Sequence, residues 1–200
     1  MAIIHYVSIP SPMARHPQEY VILGFLMKGH KHGYEIHRDF SSRLSPVWFA
    51  GMSHIYALLK RLEETGQVRS KVEIQENRPP RRVYSITPKG RKKFLEWLYG
   101  PIRQIRDLRL QFPAKLFLMD FLGLSDAATL IAEQVRVCQV QLENNKKQYS
   151  LCGDDFGRLV YRFRVHQIEA ILTWLEACKT YGRHGDSGGQ NPGTERHETG

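Results

Sequence analysis

The sequence lacks long apolar runs and closely spaced cysteines, and these absences exclude several classes of protein. No apolar stretch approaches the roughly 20 residues that a membrane-spanning helix needs, so we expect no membrane association. The three cysteines, Cys138, Cys152 and Cys178, are scattered along the chain, which fits a reducing compartment better than a disulfide framework. Residues 1–12 lack the positive charge and the cleavage site of a signal peptide. The sequence therefore predicts a cytoplasmic protein.

Motifs for catalysis and metal binding are also missing. The chain has no Ser-His-Asp nucleophile elbow, no phosphate-binding loop, and no Cys-x-x-Cys or His-x-x-x-His spacing. His166 and the pair Asp154 and Asp155 lie in the same half of the chain but have no recognisable catalytic partners. We therefore expect no metal site and no cofactor, and an enzyme is the first hypothesis that competes with the one developed below.

The positive charge is concentrated in the first half of the chain. Residues 1–99 carry 16 Lys and Arg against 8 Asp and Glu, whereas residues 100–200 carry 13 against 12. A strongly basic part joined to a nearly neutral part indicates a division of labour, in which the basic part faces a polyanion.

Apolar periodicity and turn residues predict three helices, a hairpin and a further helix in the basic half. The expected elements are a helix over 18–28, a turn at 30–33, helices over 34–44 and 53–65, strands over 68–74 and 82–87 around a turn at 76–80, and a helix over 88–99. Ser53 is the expected N-cap of the third helix, whose outer face would include Arg61. This order of elements is that of a winged helix-turn-helix.

The basic residues concentrate where such a domain meets DNA. Nine Lys and Arg lie between Arg69 and Lys93, opposed only by Glu73 and Glu76. The outer face of the third helix suits a major groove, and the hairpin can follow phosphates or enter a minor groove. The residues that we expect at DNA are Tyr34, Ser53, His54, Tyr56, Lys60, Lys71, Arg78, Arg81 and Arg82. The alternatives are a solvated basic face, half-buried packing roles for the two tyrosines, and a winged helix that binds RNA or another protein.

The second half of the chain is expected to be helical. We predict a helix whose first turn contains Pro113, a long helix capped by Ser125 that ends near Tyr149, and a last helix over 156–181. These helices carry more apolar positions than two helices need to cover each other. The excess favours a homodimer held by an intermolecular helical bundle over a core within one chain.

These predictions divide the chain into four parts. They are an N-terminal arm at 1–17, a DNA-binding domain at 18–99, a helical dimerisation domain at 100–181 and a polar tail at 182–200 that we expect to be disordered. The alternative to an N-terminal arm is that translation in the cell starts at Met13.

An aromatic-rich seam lies near the junction of the two halves. Its members are Trp97, Phe112, Phe117 and Phe121. Such a seam can form a pocket for a small aromatic or hydrophobic effector, but aromatic residues at helical spacing are also typical of a core. The sequence leaves both interpretations open.

Three segments resemble the PadR family of bacterial transcriptional regulators: HGYEI at 32–36, SHIYALLKRLEETGQV at 53–68 and RPPRRVYSITPKGRKKFLEWL at 78–98. The second half resembles, in outline, the longer PadR subfamily, in which a helical C-terminal domain mediates dimerisation. The resemblance implies a mainly α fold, with an N-terminal winged helix-turn-helix and a C-terminal dimerisation domain of long helices. It also implies a homodimer on a roughly palindromic operator, usually a repressor released by a small ligand or another signal.

Carried onto this sequence, the family's DNA contacts fall on residues already selected from charge and spacing. They are Tyr34, Ser53, His54, Tyr56, Lys60, Arg78, Arg81 and Arg82. The chain departs from the family pattern where Met52, Ser53 and His54 replace a Pro-Gly-Ser-like run and where Ala57 replaces the common proline after Tyr56. The resemblance therefore implies the fold but not the operator sequence.

Overall fold

The structure, a computed structural model, describes residues 16–75 and 78–181 of the 200-residue chain. The predicted disordered tail, the hairpin residues Glu76 and Asn77, and all but the last two residues of the predicted arm lie outside the described residues. None of the described helices is long and apolar enough to span a membrane.

The described chain forms seven helices and three short strands, which confirms the predicted mainly α fold with a winged helix-turn-helix followed by long helices. In order they are α1 (Pro17–Leu26), β1 (Lys31–His32), α2 (Gly33–Arg43), α3 (Met52–Glu64), β2 (Val68–Gln75), β3 (Arg78–Ile86), α4 (Pro88–Tyr99), α5 (Ile105–Leu122), α6 (Ala127–Leu151) and α7 (Asp155–Tyr181).

A three-stranded antiparallel sheet completes the winged helix. Its strand order is β1-β3-β2, with Lys31 opposite Tyr84 and Val68 opposite Ile86. The segment 30–33, predicted as a turn, therefore contains a strand, because its backbone hydrogen-bonds to β3 about fifty residues later in the chain. A two-residue strand of this kind leaves no periodicity in the sequence.

Helix α3 buries the face that the sequence predicts. Ile55, Leu58, Leu59 and Leu62 are at most 4% exposed. The predicted N-cap is wrong, because the helix begins at Met52 after the extended residue Gly51, and no side chain caps it. Ser53 is instead an exposed residue of the first turn, so its hydroxyl does not cap the helix.

Helix α4 begins as predicted. The Thr87 hydroxyl accepts a hydrogen bond from the backbone N–H of Gly90 and donates to the carbonyl of Gly66. A Cβ on Gly90 would lie 2.1 Å from the carbonyl oxygen of Gln67, so only glycine allows α4 to lie this close to the start of β2.

Two sequence-based helix starts in the second half are wrong. Pro113 lies inside α5 rather than in a first turn, because buried Leu108 and Phe112 extend the helix on its N-terminal side. The packing of these side chains outweighs the backbone hydrogen bond that an interior proline removes. Ser125 is exposed and lies before the N-cap of α6, which is Asp126.

Helices α6 and α7 are joined by three residues and form a long antiparallel hairpin. The fully buried Gln134 of α6 attaches the hairpin to the segment before α5. Its amide accepts a hydrogen bond from the N–H of Ile102 at 2.7 Å and donates to the carbonyl of Ile102 at 2.8 Å. Both polar groups of a buried backbone unit are thereby satisfied.

A buried lysine lies at the junction of the two halves. Lys115 of α5 is 2% exposed, donates a hydrogen bond to the carbonyl of Gly100, and lies 5.1 Å from the centre of the Trp97 ring. Within residues 16–75 and 78–181, no carboxylate forms an ion pair with it. Burial lowers the pKa of Lys115 from its ordinary value of 10.5 to about 7, because the charged form is poorly solvated there.

This low pKa makes the stability of the protein depend on pH in the alkaline range. Between pH 7 and pH 10 the folded state holds Lys115 neutral, whereas the unfolded state binds a proton. The free energy of unfolding should therefore rise with pH, by at most about 1.4 kcal/mol per unit from this group. Lys115→Met should remove this slope and stabilise the protein at pH 7, whereas Lys147→Met, on the exposed surface, should do neither. Denaturant unfolding at pH 7 and pH 9 measures both effects, and an unchanged slope in Lys115→Met would contradict the assignment.

Candidate nucleic-acid interface

The outer face of α3 presents polar and aromatic side chains to solvent. Ser53, His54 and Tyr56 are exposed near its first turn, and the Lys60 side chain is 79% exposed one turn further on. These are the four α3 residues that the sequence predicts at DNA. The apolar residues of the same helix face the core, so α3 is held from behind while its outer face is open.

The starts of α2 and α3 lie against each other. A Cβ on Gly33 would be 2.6 Å from the Tyr56 ring, so the ring lies directly on the backbone of the first α2 residue. Tyr34, the next residue, is 50% exposed, and its hydroxyl accepts a hydrogen bond from Arg38 at 3.2 Å. Tyr34 and Tyr56 thus lie near the contact between the starts of α2 and α3, and both remain partly exposed.

The wing carries the remaining predicted basic residues. Lys71 of β2 and Arg81 of β3 are exposed, and Arg78 is the first residue of β3. Glu73 lies opposite Arg81 in the strand register, so one acidic residue partly offsets the charge of this hairpin. The hairpin is therefore a basic surface with both of its strands contributing.

Arg82, which the sequence also predicts at DNA, has an acidic partner. Its guanidinium lies 3.4 Å from the carboxylate of Glu63, near the end of α3. The other oxygen of Glu63 accepts hydrogen bonds from the hydroxyl and the N–H of Ser70 in β2. Glu63 thus ties α3 to both strands of the wing, a role that sequence reasoning missed because the partners are 7 and 19 residues away.

A second ion pair corrects the expected outer face of α3. Arg61 lies 3.1 Å from the buried carboxylate of Glu19 in α1. Its side chain is directed to α1, so it does not belong with Ser53 and Lys60. A carboxylate on the otherwise apolar segment 18–28 is the signal that could have indicated this pairing, since a buried charge needs a partner.

The four residues that the sequence predicts as an aromatic seam lie in different packing environments. Phe117 lines an apolar cavity of about 360 Å³ between α5 and α7, together with Pro113, Leu116, Trp174, Ala177 and Cys178. Phe112 is fully buried beneath this cavity with its ring edge-on to Trp174. Trp97 stacks on Tyr20, and Phe121 packs edge-on against Phe25. Within the part of the chain that the structure describes, no group of three His, Cys, Asp or Glu could hold a metal ion.

The chain is similar to known transcriptional regulators. Residues 22–96 match the model of the transcriptional regulator PadR-like family. The chain is 28% identical over 173 residues to the negative transcriptional regulator PadR of Bacillus subtilis, covering 80% of this chain and 93% of that protein. It is 31% identical over 87 residues to the probable transcriptional regulator Rv1176c of Mycobacterium tuberculosis, covering 44% of this chain and 46% of that protein. The matched family and both relatives are transcriptional regulators rather than enzymes, which goes against the competing enzyme hypothesis.

A solved structure is similar over most of the chain. The crystal structure of Bacillus subtilis PadR in complex with operator DNA is 25% identical in sequence, with a TM-score of 0.41. The match covers 82% of this chain and 98% of that chain.

The role of Glu63 can be tested against its neighbour. Glu63→Ala removes the acceptor of the Ser70 N–H and hydroxyl and of the Arg82 guanidinium. The wing should therefore become less well ordered, and the free energy of unfolding should fall by about 1–3 kcal/mol. Glu64→Ala removes only an exposed contact to Lys60 at 3.9 Å and should change stability by less than about 0.5 kcal/mol. Amide hydrogen exchange at Ser70 and denaturant unfolding distinguish the two variants. Equal effects would show that Glu63 does not hold the wing.

Proposed function

We propose that this protein is a sequence-specific DNA-binding repressor that acts as a homodimer on a palindromic operator, since residues 22–96 match the model of the PadR-like transcriptional regulators. The observation that carries the proposal is the joint surface of α3 and the wing, where exposed polar, aromatic and basic side chains lie on a helix packed against the core and on the hairpin next to it. The relative from Bacillus subtilis is a negative regulator, which supports repression here. A cytoplasmic location accords with this role.

The two parts of this surface have different tasks. The first turn of α3, with Ser53, His54 and Tyr56, reads base edges in a major groove. Lys60, Tyr34 and the wing residues Lys71, Arg78, Arg81 and Arg82 hold phosphates and orient the helix. Arg82 does so only if it leaves or shares Glu63, so its contribution is smaller than that of Arg81.

Selection of bound duplexes from a random pool tests the proposal directly. The wild-type protein should enrich one inverted-repeat motif with half-sites about one helical turn apart. His54→Ala should change the enriched bases, whereas Arg81→Ala should weaken binding to all sequences alike. If the dimer neutralises about 6–10 phosphates, affinity should fall by roughly 10³–10⁵ between 50 and 200 mM salt. Enrichment of no motif would contradict the proposed function.

The alternative is a winged-helix module that binds nucleic acid or protein without an effector. Competition between duplex DNA and RNA for the wild-type protein separates the two kinds of nucleic acid. A protein that binds neither in a salt-dependent way would favour a protein-interaction module.

An exposed apolar face of α7 supports the proposal that the protein is a homodimer. Six apolar residues share one face along most of its length and are all exposed: Phe156, Leu159, Phe163, Ala170, Trp174 and Ala177. They span about 30 Å of helix at 1.5 Å per residue. An apolar stripe of this extent on one helix face is typical of an interface between chains. The dimerisation domain proposed for residues 100–181 is built around it.

A charge placed in this stripe should break the dimer. Leu159→Glu is expected to yield monomers at micromolar concentration and to abolish operator binding, because two linked half-sites are needed for tight binding. Arg162→Glu, on a different face of the same helix, should stay dimeric. Sedimentation equilibrium measures the assembly, and a monomeric wild-type protein would contradict the proposed dimer.

The cavity between α5 and α7 is the proposed effector site. Its lining is apolar and its volume of about 360 Å³ is in the range of small-molecule sites. A flat aromatic or hydrophobic molecule would contact the ring of Trp174 and lie above Phe117. Such a ligand could shift the helices that support the dimer and thereby release the operator.

Tryptophan fluorescence tests this site. Aromatic acids and other small aromatic compounds that bind should quench the wild-type emission and lose most of this effect in Trp174→Phe. Trp48→Phe removes a tryptophan that packs against Phe40, away from the cavity, and should keep the ligand-dependent signal. The absence of quenching across a broad aromatic library would count against an effector site here.

A further inference from the structure

Phe49 is the most exposed large apolar side chain of the described residues. It is 92% exposed, whereas its neighbours Trp48 and Ala50 are 9% and 4% exposed. The alternation places Trp48 against Phe40 in the core and directs Phe49 to solvent. Because Trp48 and Ala50 on either side of it are buried, Phe49 cannot turn into the core of this domain.

Exposed apolar residues are not spread evenly over the winged helix. Four of them, Tyr34, Phe49, Met52 and Tyr56, lie at or just before the first turns of α2 and α3. Phe49 is two residues before Gly51, the residue that precedes α3, so its Cα lies at most about 7 Å from that of Gly51. The apolar patch therefore adjoins the surface assigned above to base recognition.

Basic side chains on α3 and on the wing that contacts it indicate the kind of partner this patch binds. Lys60 lies further along α3, and the wing adds Lys71 and Arg81. An apolar patch on a domain whose exposed side chains are also basic fits a polyanion that carries apolar groups. In the major groove of DNA, that group is the 5-methyl of thymine.

We propose that Phe49, together with Met52, contacts a thymine 5-methyl group in each half-site and makes the protein prefer thymine at that position. The inference rests on the proposed function, since it names a specificity determinant of the same DNA surface. Covering one methyl group is worth about fourfold in affinity, the factor that corresponds to about 0.8 kcal/mol.

Replacement of thymine by deoxyuridine isolates this contact, because only the methyl group is lost and base pairing is unchanged. In the selected operator, each thymine of one half-site is replaced in turn. Binding of the wild-type protein should weaken about fourfold at one or two positions. Phe49→Ala should weaken binding to the thymine operator by at least as much and no longer distinguish thymine from deoxyuridine at those positions. Phe49→Leu, which keeps an apolar side chain, should retain part of the discrimination.

Ile74→Ala provides the matched control. Ile74 is 88% exposed on the wing, so its truncation removes a similar apolar surface away from α3. This variant should keep the full wild-type sensitivity to deoxyuridine. Because the wild-type scan needs no variant, a Phe49 substitution that fails to fold does not prevent the test.

The outcomes separate the inference from the proposed function. If the wild-type protein selects an operator but tolerates deoxyuridine at every position, the thymine contact is wrong and the regulator assignment stands. Equal losses for Phe49→Ala on thymine and deoxyuridine operators also overturn the contact. A shift of Phe49→Ala toward monomers would show instead that the patch binds a second copy of the chain. If no operator is selected, the proposed function itself fails.

Discussion

The structure depends on the enclosure of α1 on all sides. Eight consecutive residues, Glu19–Leu26, are buried, and α1 touches α2, α3, α4 and α5. At Gly24 the backbone approaches α5 so closely that a Cβ would lie 2.6 Å from Leu118. Helix α3 is held from the same helix through the ion pair of Glu19 and Arg61. Helix α3, with the proposed DNA-binding face, and α5, the first helix of the second half, are therefore both positioned by one apolar helix. Because α1 is packed on every side, a rotation about its axis would disrupt the close packing of the core. Only one orientation of α1 is therefore compatible with the fold.

This arrangement joins the two halves of the chain physically. A single core of buried residues extends from Tyr20 to Cys178. Phe117 lines the cavity and its ring lies edge-on at 6.2 Å from that of Phe25 in α1. An effector in the cavity would thus rest on a side chain that contacts the helix supporting α3. A contiguous path of packed side chains of this kind is the physical route that the proposed control of DNA binding by a ligand requires.

The sequence predicted those features that rest on local pattern. Leu58, Leu59 and their neighbours at helical spacing identified α3, and Thr87-Pro88 marked the start of α4. Local signals failed where tertiary contacts outweighed them. Ser53 and Pro113 are good helix starters, yet each lies inside a helix that begins earlier. A cap or a first-turn proline contributes about 1 kcal/mol, whereas burying a large apolar side chain contributes more.

The sequence by itself determined the order of the helices and of the two wing strands, the basic charge of the first half and the apolar face of α3. Each of these follows from residue type and spacing along the chain. The tertiary structure alone decided which charges are available, because Arg61 and Arg82 are drawn to Glu19 and Glu63, residues that are distant in sequence. It alone also placed an apolar cavity between α5 and α7 and left Phe49 outward between two anchors. The reason is that burial and ion pairing depend on which residues are close in space, and the spacing of residues along the chain does not give the distances between residues that are far apart in sequence.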